Sequence, residues 1–209
     1  MLDSWTSTII RPFLQSGAGW LKKMGLTPDQ VTIGGFCVGM LSIPAIVYHY
    51  YATGLVLILL NRCADGLDGA LARLKETSDC GGYLDIVLDF IFYSGVVFAF
   101  ALADPAENSL AAAALIFSFM GTGCSFLTFA IMAERRGLQN IAYPHKGFYY
   151  LGGLAEGTET ILFFVAICLF PEYFVGFAWG FAAICAVTTI TRVVGGYNTI
   201  REDEHGKNE

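Results

Sequence analysis

Charge is scarce in this chain. Asp, Glu, Lys and Arg make up 14% of its 209 residues, while 55% are hydrophobic; a soluble domain carries roughly 25% charged residues. A water-soluble fold of this length would have too few polar side chains to cover itself. Paired cysteines are also missing. Cys37, Cys63, Cys80, Cys124, Cys168 and Cys185 form no Cys-x-x-Cys, and most lie in apolar runs. That excludes a disulfide scaffold and reads as small residues buried in helices. Positive charge is in deficit: the net charge is −6, which argues against nucleic acid as a partner. The N-terminus lacks the basic-then-apolar order of a signal peptide. No short-period repeat or low-complexity tract is visible. What is left is an integral membrane domain, because each crossing needs ~20 apolar residues and the chain has room for several.

The apolar runs predict an all-α polytopic membrane protein with six transmembrane helices. They fall at roughly 31–51, 54–73, 82–103, 110–133, 149–170 and 173–194. Residues 2–15 are too short to span. Leu2, Trp5, Ile9 and Phe13 recur at helical spacing, which predicts an N-terminal amphipathic helix lying in the interface. The predicted organisation is an interfacial helix and linker over 1–27, a six-helix domain over 28–200 and a charged tail over 201–209. The second crossing is the weakest, since it carries Arg62, Asp65, Asp68 and Arg73. Charge bias supports keeping it. With six crossings and both termini inside, Lys22, Lys23, Arg73, Lys75, Arg135, Arg136, Lys146 and Arg201 all fall on the cytoplasmic side. Without it, Lys22–Lys23 and Lys75 would lie on opposite sides.

Four aspartates at membrane depth are the strongest feature. One charged side chain at the bilayer centre costs ~2.5–3.5 kcal/mol on insertion scales, and four unpaired ones on the order of 10 kcal/mol. They must be paired, hydrated or metal-bound. Asp65 and Asp68 are three apart and Asp85 and Asp89 four apart, so each pair shares a helix face. Folding the two helices back around residues 74–81 sets Asp68 opposite Asp85 and Asp65 opposite Asp89. Four converging carboxylates without His or Cys suit Mg²⁺ or Mn²⁺, as two ions per site bridged by shared carboxylates. Arg62 and Arg73 cannot neutralise all four. Gly66, Gly69, Gly81 and Gly82 allow close approach of either a helix or a ligand.

Residues 65–89 read DGLDGALARLKETSDCGGYLDIVLD. This resembles the signature of the CDP-alcohol phosphatidyltransferases, DxxDGxxARx(7–8)GxxxDxxxD. Asp65, Asp68, Gly69, Ala72, Arg73, Gly81, Asp85 and Asp89 fill every fixed position. The resemblance implies transfer of a substituted phosphoryl group from a CDP-linked alcohol to a second alcohol, with release of CMP. It implies that Asp65, Asp68 and Asp85 hold a first metal and that Asp65, Asp85 and Asp89 hold a second. Asp89 would also be the general base. Gly69 and Arg73, with Ala72, Gly81 and the loop residue Ser78, would meet the CDP part. Thr27–Thr32 (TPDQVT) is similar to a family stretch that lines the donor phosphates, which adds Asp29 and Thr32. An ordinary helix cap with proline explains that stretch equally well.

The acceptor is less legible. Arg135, Arg136, Lys146 and Arg192 could meet a phosphorylated polyol, although positive-inside topology accounts for the loop residues. Glu156 and Glu159, one turn apart, better suit an amino alcohol or plain hydroxyls, or else pair with Arg192 or Arg135. The expected donor is CDP-diacylglycerol and the expected acceptor a small polar alcohol, in an inner-membrane protein whose site faces the cytoplasm. The alternatives are a CDP-linked polar alcohol with a lipid acceptor and, from another class, a divalent-cation transporter. Ala111–Ala114, Gly121 and Gly123 suggest close packing against a partner helix in a homodimer.

Overall fold

Capping residues and prolines decide where the helices begin. The computed structural model describes residues 3–75, 77–137 and 153–206, and the elements among them are all helical. Helix α1 runs Asp3–Lys23, α2 Pro28–Met40, α3 Ser42–Val47, α4 Tyr51–Leu74, α5 Asp79–Ala103, α6 Pro105–Arg136, α7 Gly157–Leu169 and α8 Phe174–Gly206. Thr27 starts α2 with a capping box. Its Oγ1 accepts from Gln30 N at 3.3 Å, and Gln30 Oε1 accepts from Thr27 N at 3.0 Å. Ser78 Oγ starts α5 by accepting from Gly81 N at 3.0 Å. Asp104 Oδ1 and Pro105 start α6, and Gly137 ends it in the left-handed region at φ 67°.

This is a helical membrane protein. Among the described residues, four segments are long and apolar enough to cross a bilayer: 28–47, 79–103, 105–136 and 171–205. The first is broken at Leu41 into α2 and α3. Helix α4 has 24 residues but carries Arg62, Asp65, Asp68 and Arg73, while α7 is apolar and only 13 residues long. Exposed Leu110, Phe117 and Ile131 on α6, with Ile190 and Val193 on α8, offer an apolar surface to lipid.

The bundle is solid at one end and hollow at the other. Near the turns at residues 104 and 170, Phe92, Val96, Phe100, Leu115, Phe164, Ile167 and Phe174 are fully buried. Phe100 stacks on Phe174 and Phe163 on Phe181, each at 4.7 Å between ring centres. Cavities open toward the other end, where two lysines tie the links together. Lys22 Nζ donates to Leu74 O at 2.8 Å and Lys75 Nζ to Leu26 O at 2.7 Å, so the α1–α2 and α4–α5 links share one end of the bundle.

Two expectations change. Helix α1 extends to Lys23, beyond the predicted residue 15, because Leu14, Ala18 and Leu21 pack on Ala70 and Leu71 of α4. Its earlier side chains, Leu2, Trp5 and Ile9 among them, lie outside the described residues. The tail from 201 is no separate segment: α8 continues to Gly206, and Arg136 pairs with Asp203 at 3.0 Å and with Glu204. Several small residues of α6 pack within the chain. Ala111 and Ala112 are buried in the core, a Cβ on Gly123 would meet the Phe90 ring at 2.6 Å, and one on Gly121 would meet Thr189 at 3.1 Å. Ala113 of the same run is exposed on the outer surface of α6.

Candidate active site

Helices α4 and α5 bring the carboxylates together. Asp65 and Asp68 of α4 and Asp85 of α5 each place an oxygen within 4.8 Å of the others. A small space of about 10 Å³, lined by these three with Asp89 and Arg62, lies among them. That is room for one water or one ion. Asp89 lines the same space, and the Arg62 guanidinium bridges it to Asp65. Its Nη2 is 2.6 Å from Asp89 Oδ1, its Nη1 is 3.2 Å from Asp89 Oδ2, and Nη1 is 3.6 Å from Asp65 Oδ2. One turn before Asp65 on the same helix, Arg62 reaches the fourth carboxylate first.

Helix α2 closes the cluster on a third side. Thr32 Oγ1 donates to Asp68 Oδ2 at 2.5 Å, and Asn61 Nδ2 of α4 donates to the Gly35 carbonyl at 3.0 Å. Gly35 has no room for a side chain, since a Cβ there would sit 2.5 Å from Ala64. This close approach of α2 and α4 is what lets a short hydroxyl side chain such as Thr32 reach Asp68.

A cavity of about 220 Å³ opens beside the cluster. Its wall contains Asp29, Thr32, Gly69, Ala72, Arg73, Ser78 and Gly81, the whole set named for the CDP part, with Asp68 and Asp85 at its inner end. The glycines divide by role. Gly81 and Gly82 line the cavity with Gly69, whereas Gly66 faces Leu14 of α1, 3.1 Å from an added Cβ. Ser78 serves both as cap and as cavity wall.

A second cavity, about 170 Å³, lies between α5, α6, α7 and α8. Tyr93, Thr160, Glu156 and Arg192 line it. Arg192 is buried; its Nη1 donates to Thr122 O at 3.3 Å and its guanidinium lies 5.4 Å from the Phe126 ring centre. Glu159 is outside that lining, and its Oε2 accepts from Glu156 N at 3.3 Å at the start of α7. Arg135 is exposed at the end of α6, away from both cavities. Lys146 falls outside the described residues.

A family model described as CDP-alcohol phosphatidyltransferase matches residues 25–191. The chain belongs to that family. Among curated proteins, it is 53% identical over 201 residues to inner membrane protein YnjF of Escherichia coli, covering 96% of this chain and 98% of that one. It is 29% identical over 178 residues to archaetidylinositol phosphate synthase of Pyrococcus horikoshii, covering 83% and 85%. Among solved structures, Mycobacterium tuberculosis phosphatidylinositol phosphate synthase matches with manganese and citrate at a TM-score of 0.66, covering 88% of each chain, and with CDP-DAG bound at 0.64, covering 88% and 93%. Both are 20% identical to this chain and show a shared fold.

In this CDP-alcohol phosphatidyltransferase the cavities are also lined by residues that sequence reasoning missed. Asn61, Tyr93 and Thr160 are outside the signature, and Thr77 sits in its variable spacer. Tyr93 had one available signal: it is four residues after Asp89, one turn along the same face. Arg62 was visible as a cation in the membrane, three residues before Asp65, but its partner was not.

Proposed function

We propose that the protein transfers a phosphatidyl group from CDP-diacylglycerol to a small polar alcohol and releases CMP. One observation carries the reading. A single cavity gathers the residues expected for the nucleotide and diphosphate, and its inner end is formed by two of the clustered carboxylates. The M. tuberculosis phosphatidylinositol phosphate synthase, solved with CDP-DAG bound, supports the same donor.

The cluster fits a hard divalent cation. Its donors are carboxylate oxygens, close enough together to share one ion, and the space between them is ion-sized. Asp65, Asp68 and Asp85 would hold a first Mg²⁺ or Mn²⁺, and Asp65, Asp85 and Asp89 a second. Such ions neutralise diphosphate charge and polarise the attacked phosphorus. The chain's own residues do the rest. Arg73 offers its guanidinium to the diphosphate, and the missing side chains of Gly69 and Gly81 leave space for the nucleotide. The acceptor oxygen forms the new bond to phosphorus as the bond to CMP breaks, and Asp89 accepts the hydroxyl proton. Arg62 donates to both Asp89 oxygens and Tyr93 to Oδ2, which leaves a lone pair open on Oδ1. Asp89 acts by position more than by basicity.

The acceptor reading rests on the second cavity. Glu156 and Arg192 set opposite charges in its wall, which suits a polyol, a polyol phosphate or an amino alcohol. The name of the P. horikoshii relative favours a polyol phosphate. Six crossings with both termini on the cytoplasmic side are proposed, since Lys22 and Lys75 mark one end of the bundle. YnjF's name supports the inner membrane.

The test supplies labelled CDP-diacylglycerol, or labelled CDP-ethanolamine with diacylglycerol, to the protein in nanodiscs with a panel of alcohols. CMP and a new phospholipid are expected from the first donor only. Product from the second donor reverses the assignment, and cation flux in liposomes without CMP release points to a transporter. For topology, a cysteine at Glu107 in a cysteine-free background should react with an impermeant thiol reagent from outside, and one at Lys75 only after lysis.

A further inference from the structure

Arg62 is a buried cation at the centre of the carboxylate cluster. Its side chain is 9% exposed, and all three guanidinium nitrogens are engaged. Nη1 and Nη2 grip the two oxygens of Asp89. Nε and Nη2 donate to Asn61 Oδ1 at 2.8 and 2.6 Å. Nη1 also donates to the Tyr93 hydroxyl at 2.8 Å. The planar group lies 5.1 Å from the Phe92 ring centre and 5.0 Å from that of Tyr93, within cation–π range. Asn61 is in turn fixed to the Gly35 carbonyl of α2, and Phe92 is fully buried. The guanidinium is therefore tied to α2, α4 and α5 at once.

What this fixes is Asp89. The carboxylate is 28% exposed. It lines the ion-sized space with Asp65, Asp68 and Asp85, and it bonds Tyr93, which lines the second cavity. Asp89 thus stands on the wall between the cluster and the cavity proposed for the acceptor. Left alone beside three carboxylates, its charge would be repelled outward, and its χ angles would be free to turn it away from that wall. A fork that binds both oxygens removes both freedoms.

We propose that Arg62 is the positioning residue of the reaction. It holds both oxygens of Asp89 in place between the cluster and the acceptor cavity, while Asn61 and Tyr93 hold Arg62. This rests on the reading of Asp89 as proton acceptor. A lysine cannot substitute fully, because one ammonium grips one oxygen where the fork grips two.

The test compares wild type with Arg62→Lys, Arg62→Met, Asp89→Asn and the double variant Arg62→Met/Asp89→Asn in nanodiscs. CMP release is followed from CDP-diacylglycerol with inositol phosphate, glycerol phosphate and serine supplied together. Mn²⁺ binding by electron paramagnetic resonance and thermal melting are recorded alongside. Arg62→Lys is expected to melt as wild type does, to keep one tightly bound Mn²⁺ and its KM for CDP-diacylglycerol within about twofold, and to lose at least tenfold in kcat. Arg62→Met should lose more kcat and some melting temperature, and the double variant should regain part of the melting temperature because the Asp89 charge is removed together with its partner. A purely structural role would lower melting temperature and activity in step, and it would leave Arg62→Lys at wild-type turnover. Wild-type turnover in Arg62→Lys with Asp89→Asn inactive overturns this proposal alone. Near-normal turnover in Asp89→Asn overturns the proton-acceptor reading beneath it.

Discussion

Thr32 of α2 donates its hydroxyl to Asp68 of α4 at 2.5 Å, across 36 residues of sequence. A feature that reads locally as the first turn of a capped helix is thus a wall of the carboxylate cluster. Replacing the hydroxyl while keeping the shape isolates this bond. A hydrogen bond to a charged group contributes about 1.5–3 kcal/mol, so Thr32→Val should raise the donor KM or lower kcat by roughly 10–100-fold. Steady-state CMP release checks it, and unchanged kinetics would remove Thr32 from the site.

Metal dependence and stability should move oppositely at the cluster. Three carboxylates within 4.8 Å repel one another when no cation is present. Asp85→Asn should therefore raise the melting temperature of EDTA-treated protein by about 2–4 °C for each kcal/mol of repulsion relieved, while abolishing turnover. Wild type should gain stability on adding Mg²⁺ or Mn²⁺, and its activity should return. A melting curve indifferent to both cations would refute the metal site.

Gly81 and Gly82 are neighbours in the donor cavity with different surroundings. A Cβ on Gly81 would meet Asp29 Oδ1 and Ser78 Oγ, both at 3.1 Å, whereas nothing lies within 4 Å of one on Gly82. Gly81→Ala should raise the KM for CDP-diacylglycerol about tenfold, since ~1.4 kcal/mol of lost contact or displacement suffices. Gly82→Ala should change it less than threefold, a difference of under ~0.7 kcal/mol. Equal effects would mean that the donor does not pass between α2 and α5.

The two glutamates of α7 should separate. Glu156 lines the second cavity, and Glu159 accepts from the Glu156 backbone. Glu156→Gln and Arg192→Lys should shift the acceptor KM far more than the donor KM. Glu159→Ala should instead cost about 1 kcal/mol of stability as a lost cap. Acceptor titrations and melting curves distinguish the outcomes, and a purely thermal effect of Glu156→Gln would take it out of the pocket.

Legibility followed distance along the chain. Asp65, Asp68, Asp85 and Asp89 could be placed on shared faces because helical spacing maps number to direction. The cavity wall from Gly69 to Gly81 followed because that loop is short. Arg62 was read only as a poor neutraliser, because pairing depends on which of two nearby carboxylates its fork reaches. The full length of α1 was missed because Gly17 and Ala18 look unremarkable until α4 lies against them.

Composition alone put this chain in a membrane: side chains that cannot cover a surface in water must face lipid. Helical periodicity put the aspartates on shared faces as a cluster suited to a hard cation, a local consequence of the backbone, and the resemblance of residues 65–89 to a family signature named the reaction class. Only the tertiary structure decided that α2 supplies Thr32 to the cluster, that Arg62 holds Asp89, and that Glu156 and Arg192 share a cavity while Arg135 does not. Each of those depends on how closely separate helices approach. That distance is set by packing between residues remote in sequence, which no local pattern encodes.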